Sequence, residues 1–229
     1  MKGNKKSLVK VIMHNEISMD GAIRNFEPNL ELYYQIAETF KAEVHLVGSR
    51  TAKMGLKTYW GKIPAEEPED FTKPLIKSWD KRPYWFIPDT RGILKNLLHV
   101  YRKSGYCKDV VVLISKRTPK SYLKYLKKRD YDHYVCGRDR VDFRQALRLM
   151  RVHYGTKVVM TDSGGTLNNI LLEQGLINEI SLLVAPILVG DKRTNLFRTL
   201  RLKGKKPRLQ LIKNRILEKQ YLLLIYRIV

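Results

Sequence analysis

The chain has 229 residues, 44% of them hydrophobic, with 44 Lys and Arg against 22 Asp and Glu. That length supports one sizeable core, and no run reaches the ~18 uncharged apolar residues a membrane span needs. The formal net charge of +22 attracts polyanions and anionic substrates alike and says nothing about fold. It is spread unevenly, with 12 basic and 4 acidic residues over 116–151, and 12 and 2 over 191–229. Cys107 and Cys136 stand at no metal-ligand spacing. They read as free thiols of a reducing cytoplasm, with no metal site and no secretion.

In chain order, residues 8–14 form a mostly apolar run that reads as a buried first strand rather than a signal peptide. Asp20-Gly21 marks the turn after it, so Ser18 and Asp20 are expected just past a strand end, where open α/β sheets place ligands. His14 reads as a satisfied, half-buried histidine, with a catalytic role as the alternative. Residues 28–40 carry a helical stripe of Leu32, Ile36 and Phe40. Residues 44–47 are a second strand with the polar exit Gly48-Ser49-Arg50-Thr51. Residues 57–83 have no clean period and four prolines, and read as a loop over the site, with Trp60 and Trp79 packing it down.

Strands are expected at 84–87, 109–114 and 131–136, and helices at 92–103 and 119–129. The second of these helices has a basic face that reads as solvated. Residues 142–154 give the cleanest helix, with Phe143, Ala146, Leu147 and Met150 on one stripe and Asp142 as its cap. The short β-branched run that begins at Lys157 then feeds Asp162-Ser163-Gly164-Gly165-Thr166-Leu167-Asn168, and a helix follows from Leu167 to Gln174. In such a strand–turn–helix unit the free N–H groups of the helix start face whatever binds there, and phosphate is the natural guest. A strand at 180–189 and two antiparallel strands at 208–217 and 221–229 close the chain. About eight or nine strands alternate with four to six helices in one domain, α/β with a mostly parallel sheet and an antiparallel C-terminal hairpin.

Several stretches occur together in order: Ser18-Met19-Asp20-Gly21, Val47-Gly48-Ser49-Arg50-Thr51, Val135-Cys136-Gly137-Arg138, Asp162 to Asn168, Gly175-Leu176-Ile177-Asn178-Glu179, and Ala185-Pro186-Ile187-Leu188-Val189-Gly190. The set resembles the reductase domain of the riboflavin-pathway pyrimidine deaminase/reductase, over nearly the whole chain. The resemblance implies a dihydrofolate reductase-like three-layer fold and an NADPH-dependent, cytoplasmic, homodimeric reductase. In that family hydride goes to the ribose C1 of a ring-opened ribosylaminopyrimidine phosphate. Substrates of this type are 5-amino-6-(5-phosphoribosylamino)uracil and 2,5-diamino-6-ribosylaminopyrimidinone phosphate.

It further implies that Thr51, Ser163, Gly164, Gly165, Thr166 and Leu167 bind the cofactor. Asn15, Ser18, Asp20 and Asp162 fall to the substrate, with Asp20 and Asp162 as catalytic candidates and His14 as a further proton donor. Gly165 is expected to serve cofactor approach, so that a bulky residue there abolishes binding and spares the fold. The chain departs from the family at Ala22, where a basic residue is usual. It departs again at Lys53-Met54-Gly55-Leu56-Lys57, where an Asp-Asp-Pro stretch and an arginine are usual. The cofactor half thus matches better than the substrate half, and another heterocyclic substrate is an open alternative. So is a nucleic-acid-binding protein on a borrowed fold, with Tyr122, Tyr125 and Tyr131 among basic residues as its candidate surface. The tryptophan-bearing N-terminal loop of true dihydrofolate reductase is not visible.

Overall fold

The computed structural model describes residues 9–229 apart from 193, 198, 203 and 205. Leu8, expected to open the first strand, lies outside them. The strands are β1 (Lys10–Ser18), β2 (Val44–Leu46), β3 (Tyr84–Pro88), β4 (Val110–Ile114), β5 (His133–Val135), β6 (Val158–Thr161), β7 (Glu179–Ala185), β8 (Leu209–Leu217) and β9 (Tyr221–Ile228). The α-helices are α1 (Leu30–Thr39), α2 (Ser49–Tyr59), α3 (Leu98–Lys103), α4 (Lys120–Lys128), α5 (Phe143–Tyr154) and α6 (Gly165–Glu173). They fall into two compact units, one of the described residues within 9–42 and 157–229, the other of residues 43–156.

In the first unit the strand order is β6-β1-β7-β9-β8. β1 lies parallel to β6 and β7, while β9 runs antiparallel to both β7 and β8. Side chains alternate across the sheet. His14 meets Tyr33 of α1, and Leu32, Tyr33 and Ile36 pack on Leu183, Leu223 and Ile225. Asn15 points to the other face, where its amide meets Asn168 of α6. β1 runs four residues past the expected end at His14. It can do so because its polar residues find partners: His14 with Ser181, Asn15 with Asn168, and Glu16 with the Asn29 N–H. Ser18 is therefore the last residue of the strand and only Asp20 lies beyond it. β7 stops at Ala185, before Pro186, which lacks the N–H to continue a ladder.

The second unit is an all-parallel sheet in the order β5-β4-β3-β2. β4 is buried along its whole length, as expected of a strand covered on both faces. Ile87, Val110, Val112 and Ile114 pack with Leu98, Tyr122, Tyr125 and Tyr131, while Phe86 turns the other way to meet Tyr154 of α5 edge-on at 5.0 Å. Three sequence expectations change here. The exit after β2 is a helix: Gly48 is its N-cap, and Ala52 and Leu56 are its buried positions, a stripe too short to read beside Gly55 and six polar residues. Residues 92–97 form turns rather than the start of α3. Asp89 accepts the Ile93 and Leu94 N–H groups, and Gly92, at φ +69°, lies where a Cβ would sit 2.7 Å from the Tyr122 ring.

The third change concerns residues 57–83. They do not form a lid over the carboxyl ends of this unit's strands. Glu66 pairs with Arg129, Asp70 with Lys103 and Lys73 with Asp132, and Arg102 binds the carbonyls of Asp70 and Thr72. Arg129, Lys103 and Asp132 stand at the amino-terminal edge of the parallel sheet, so the segment runs along that edge. Charged pairs hold it, whereas Trp60 and Trp79 are exposed.

Candidate active site

The turn after β1 is built on Asp20. The Ser18 hydroxyl donates to one of its oxygens at 2.5 Å, and the N–H groups of Val189 and Gly190 donate at 3.2 and 2.9 Å. These donors, the Ser18 hydroxyl first and the Gly190 N–H next, hold the carboxyl down at about 2. Asp20 is thus ionised and has no proton to give. It ties the turn to the loop after β7. The same turn pairs Ala22 with Asn195, and Leu196 N–H donates to the Gly21 carbonyl at 3.3 Å.

The corner after β6 is held by a ring of amides. Thr161 donates to Asn168 at 3.0 Å, Asn168 donates to Asn15 at 2.9 Å, and Asn15 donates to the Asp162 and Ser163 carbonyls at 3.3 and 3.4 Å. Asn15 is therefore committed at both ends of its amide to shaping the corner. Gly164, at φ −66°, is the N-cap of α6 and supplies no side-chain cap. The nine-residue helix thus begins with backbone N–H groups that no cap side chain covers, and an exposed Thr166 stands beside them. That end suits a phosphate. Leu167 is buried at 6% exposure, so only its backbone can face a ligand. Gly165 corrects an expectation. A Cβ there would lie 2.8 Å from the Leu196 carbonyl oxygen, so the glycine is required by the chain's own backbone and a larger residue disturbs the fold.

Asp162 sits between these features. Its Oδ1 is shut from solvent and has no hydrogen-bond partner among the described residues. Burial pushes its carboxyl up to about 6. β1 and β6 pair in register with Ile12 opposite Met160, so Ile12, His14 and Glu16 share a face with Met160, and Asp162 follows directly on the end of β6. Asp162 and Glu16 both act electrostatically on Tyr33, whose hydroxyl donates to the His14 carbonyl at 3.3 Å. Glu16 accepts the Asn29 N–H at 3.1 Å with one oxygen, and burial raises its carboxyl. His14 is fully buried rather than half-buried, stacked 4.4 Å from the Tyr33 ring. Its nitrogens meet Ser181 Oγ at 3.0 Å and the Tyr33 carbonyl at 3.3 Å, and burial lowers it to about 4. It is neutral and carries no proton for chemistry near neutral pH.

Ser18, Asp20, Asn15 and residues 162–167 thus lie in one unit at the carboxyl ends of β1 and β6. Thr51 belongs to the other unit, in the first turn of α2 at the carboxyl end of β2. Glu16, Tyr33, Asn168 and Asn195 were not named as site residues from sequence, although Asn168 closes the glycine stretch. The one available signal was polarity inside an apolar run, at Asn15-Glu16. Both cysteines are free and buried. Among the described residues no cluster of His, Cys, Asp or Glu is placed to hold a metal, and no helix is long and apolar enough to cross a membrane. The proposed aromatic surface of a nucleic-acid binder does not exist. Tyr122, Tyr125 and Tyr131 are 2%, 4% and 3% exposed and stack on one another within the core.

The fold is that of pyrimidine reductases. A pyrimidine reductase-like protein of Corynebacterium diphtheriae superposes with a TM-score of 0.71 at 13% identity, over 97% of this chain and 93% of that one. The riboflavin biosynthesis reductase of Saccharomyces cerevisiae does so with a TM-score of 0.63 at 14% identity, over 100% and 93%. The family model of the RibD C-terminal domain matches residues 9–223, and the chain belongs to that family. It is similar to the 2,5-diamino-6-ribosylamino-4(3H)-pyrimidinone 5′-phosphate reductase of Methanothermobacter thermautotrophicus, at 37% identity over 87 residues. That match spans 37% of this chain and 39% of the relative.

Proposed function

We propose that the chain is a cytoplasmic, homodimeric riboflavin-pathway reductase, folded as one reductase domain, that uses NADPH to reduce a ribosylaminopyrimidine phosphate. The observation that carries this reading is the juxtaposition, within one unit, of a helix start whose N-cap Gly164 brings no side-chain cap and of the solvent-shut Oδ1 of Asp162. The first suits the cofactor's phosphates and the second suits proton supply. NADPH, when bound, supplies the hydride that adds to the ribose C1 of the ring-opened substrate.

The chain's own residues do the rest. The N–H groups at the start of α6 and the Thr166 hydroxyl hold phosphate oxygens. Thr51 matches a cofactor contact in the family and is proposed as a cofactor residue on that resemblance alone. Asp162, raised to about 6, holds the proton that the nitrogen attached to C1 takes up as the carbon–nitrogen double bond is reduced. Asp20 stays ionised and fixes the turn bearing Ser18. The amide ring of Asn15 and Asn168 fixes the backbone on which Asp162 sits, so proximity is built in before substrate arrives. Calorimetric titration with NADPH and with NADH at moderate salt tests the cofactor. The expected result is micromolar or tighter NADPH binding with NADH weaker. No NADPH binding removes the proposal's main support.

A further inference from the structure

The chain between β7 and β8 runs along α6 as a strap. Gly165, Asn169 and Glu173 stand four residues apart, so they share one face of that helix. Each meets the strap in turn. The Leu196 carbonyl oxygen lies 2.8 Å from where a Gly165 Cβ would be. The Asn169 amide nitrogen donates to the Thr199 hydroxyl at 2.7 Å, and the Arg201 N–H donates to the Glu173 carboxylate at 2.7 Å. Leu200 N–H on the Phe197 carbonyl, at 3.1 Å, closes the bend that carries Thr199. Earlier residues of the strap hold the turn after β1. The Val189 and Gly190 N–H groups bind Asp20, Ile23 N–H donates to the Thr194 carbonyl at 3.0 Å, and Leu196 N–H donates to the Gly21 carbonyl at 3.3 Å. Leu196 thus touches the helix start with its carbonyl and the Asp20 turn with its N–H.

Asn169 is the buried polar member of this row. It is 2% exposed, and its Oδ1 is shut from solvent without a hydrogen-bond partner among the described residues. Such an amide costs the fold free energy. Its nitrogen also lies 3.5 Å from the position of a Gly165 Cβ, at the junction of the helix start and Leu196. We infer that Asn169 is a positioning residue for cofactor binding: through Thr199 it clamps the strap to α6 and so sets where Leu196 and the Asp20 turn stand beside the start of the helix. The inference rests on the function proposed above and adds to it a residue that touches no ligand. The helix fixes its own N–H groups, but only the strap ties the wall beside them to the turn after β1. A strap released from Thr199 leaves the two in register for a fraction of the time, and the apparent affinity falls by that fraction. Asp162 is held by the amide ring of Asn15 and Asn168 instead, so the chemical step is left alone.

Calorimetry on the unaltered chain, Thr199→Val, Thr199→Ser, Asn169→Leu and the double variant of Asn169→Leu with Thr199→Val tests this. Thr199→Val keeps the shape of the side chain and removes the hydroxyl that Asn169 holds. It is expected to weaken NADPH binding by about 3- to 10-fold, while Thr199→Ser, which keeps the hydroxyl, stays within about 2-fold of the unaltered chain. The two replacements break one contact, so the double variant is expected to bind within about 2-fold of the weaker single variant. In turnover of 2,5-diamino-6-ribosylaminopyrimidinone phosphate, Thr199→Val is expected to raise KM for NADPH by the same factor and to leave kcat unchanged. Unaltered affinity in Thr199→Val, equal losses in Thr199→Val and Thr199→Ser, or single losses that multiply in the double variant overturns the inference and leaves the reductase reading standing. So does a fall in kcat with KM unchanged, which a smaller folded fraction would give. If Asn169→Leu does not fold, the two Thr199 variants decide. If NADPH binds and this pyrimidine is not reduced, the binding series decides. An unaltered chain that binds no NADPH overturns the function proposal and the inference with it.

Discussion

Asp20 and Asp162 carry the same side chain and have opposite chemistry, because hydrogen-bond donors dominate at one and burial at the other. Donors led by the Ser18 hydroxyl and the Gly190 N–H keep Asp20 ionised at about 2, while burial, opposed by its own backbone N–H, raises Asp162 to about 6. The sign of the linkage is fixed by that rise. A carboxyl whose folded value exceeds its ordinary value of 3.8 favours the folded state only while protonated. Its contribution is full below pH 3.8 and is lost as pH rises through about 6. Asp162→Asn removes that dependence. The variant is expected to match the unaltered chain in stability near pH 3.5, to gain on it up to about pH 6, and to hold a constant advantage above. Urea denaturation across that range measures it, and an advantage that shrinks with rising pH contradicts the assignment. The same variant is expected to lose reductase turnover by about 10²- to 10⁴-fold, as removal of a general acid does. Asp162 was readable from sequence as a polar residue at a strand end. Its environment was not, because the emptiness around Oδ1 depends on where Glu16, Tyr33 and Asn15 point.

Among elements, the glycine corner was legible in position and misread in cause. The sequence pattern of strand, two glycines and helix places β6 and α6 within a residue or two of where they lie. What Gly165 must avoid comes from Leu196, thirty-one residues on, and no local pattern carries that contact. Gly165→Ala is therefore expected to lower stability by about 1–3 kcal/mol through overpacking and to weaken NADPH binding at the same time. Urea denaturation and calorimetry on the same sample check this, and lost binding with unchanged stability would contradict it. In the same way α2 was hidden by Gly55 and its lysines, and the end of β1 by polar residues whose partners lie on α1, β7 and α6. The segment 57–83 was legible as irregular but not as anchored, since its anchors Arg102, Lys103 and Arg129 are distant in sequence. Arg102 also neutralises Asp109, and these side chains are only 6% and 1% exposed. Arg102→Leu is expected to cost about 3–5 kcal/mol by leaving a buried charge unpaired. Arg102→Leu with Asp109→Leu is expected to recover most of it, as measured by chemical denaturation.

At the scale of the whole molecule, the charge of +22 remains a bulk property. The tyrosines put forward as a single-stranded nucleic-acid platform, Tyr122, Tyr125 and Tyr131, are in the core. Any RNA or DNA binding is therefore expected to be Coulombic and to disappear by physiological salt, as a filter-binding titration would show. The C-terminal hairpin offers a different surface. Leu209, Leu211, Ile212 and Ile216 of β8 are exposed, on a strand whose only described neighbour is β9. An exposed apolar strand of this kind invites association. Ile216→Lys is expected to shift the proposed homodimer to monomer in sedimentation velocity, and a dimer that persists unchanged places its interface elsewhere.

The central claim is hydride transfer from a cofactor held at the start of α6 to a substrate carbon beside Asp162. Reduction of 2,5-diamino-6-ribosylaminopyrimidinone phosphate with NADPH deuterated at the transferred position tests it most directly. One deuterium at C1 of the product side chain, with one NADPH oxidised for each, is the expected result. Product without deuterium at C1, or no NADPH oxidation at all, would contradict it.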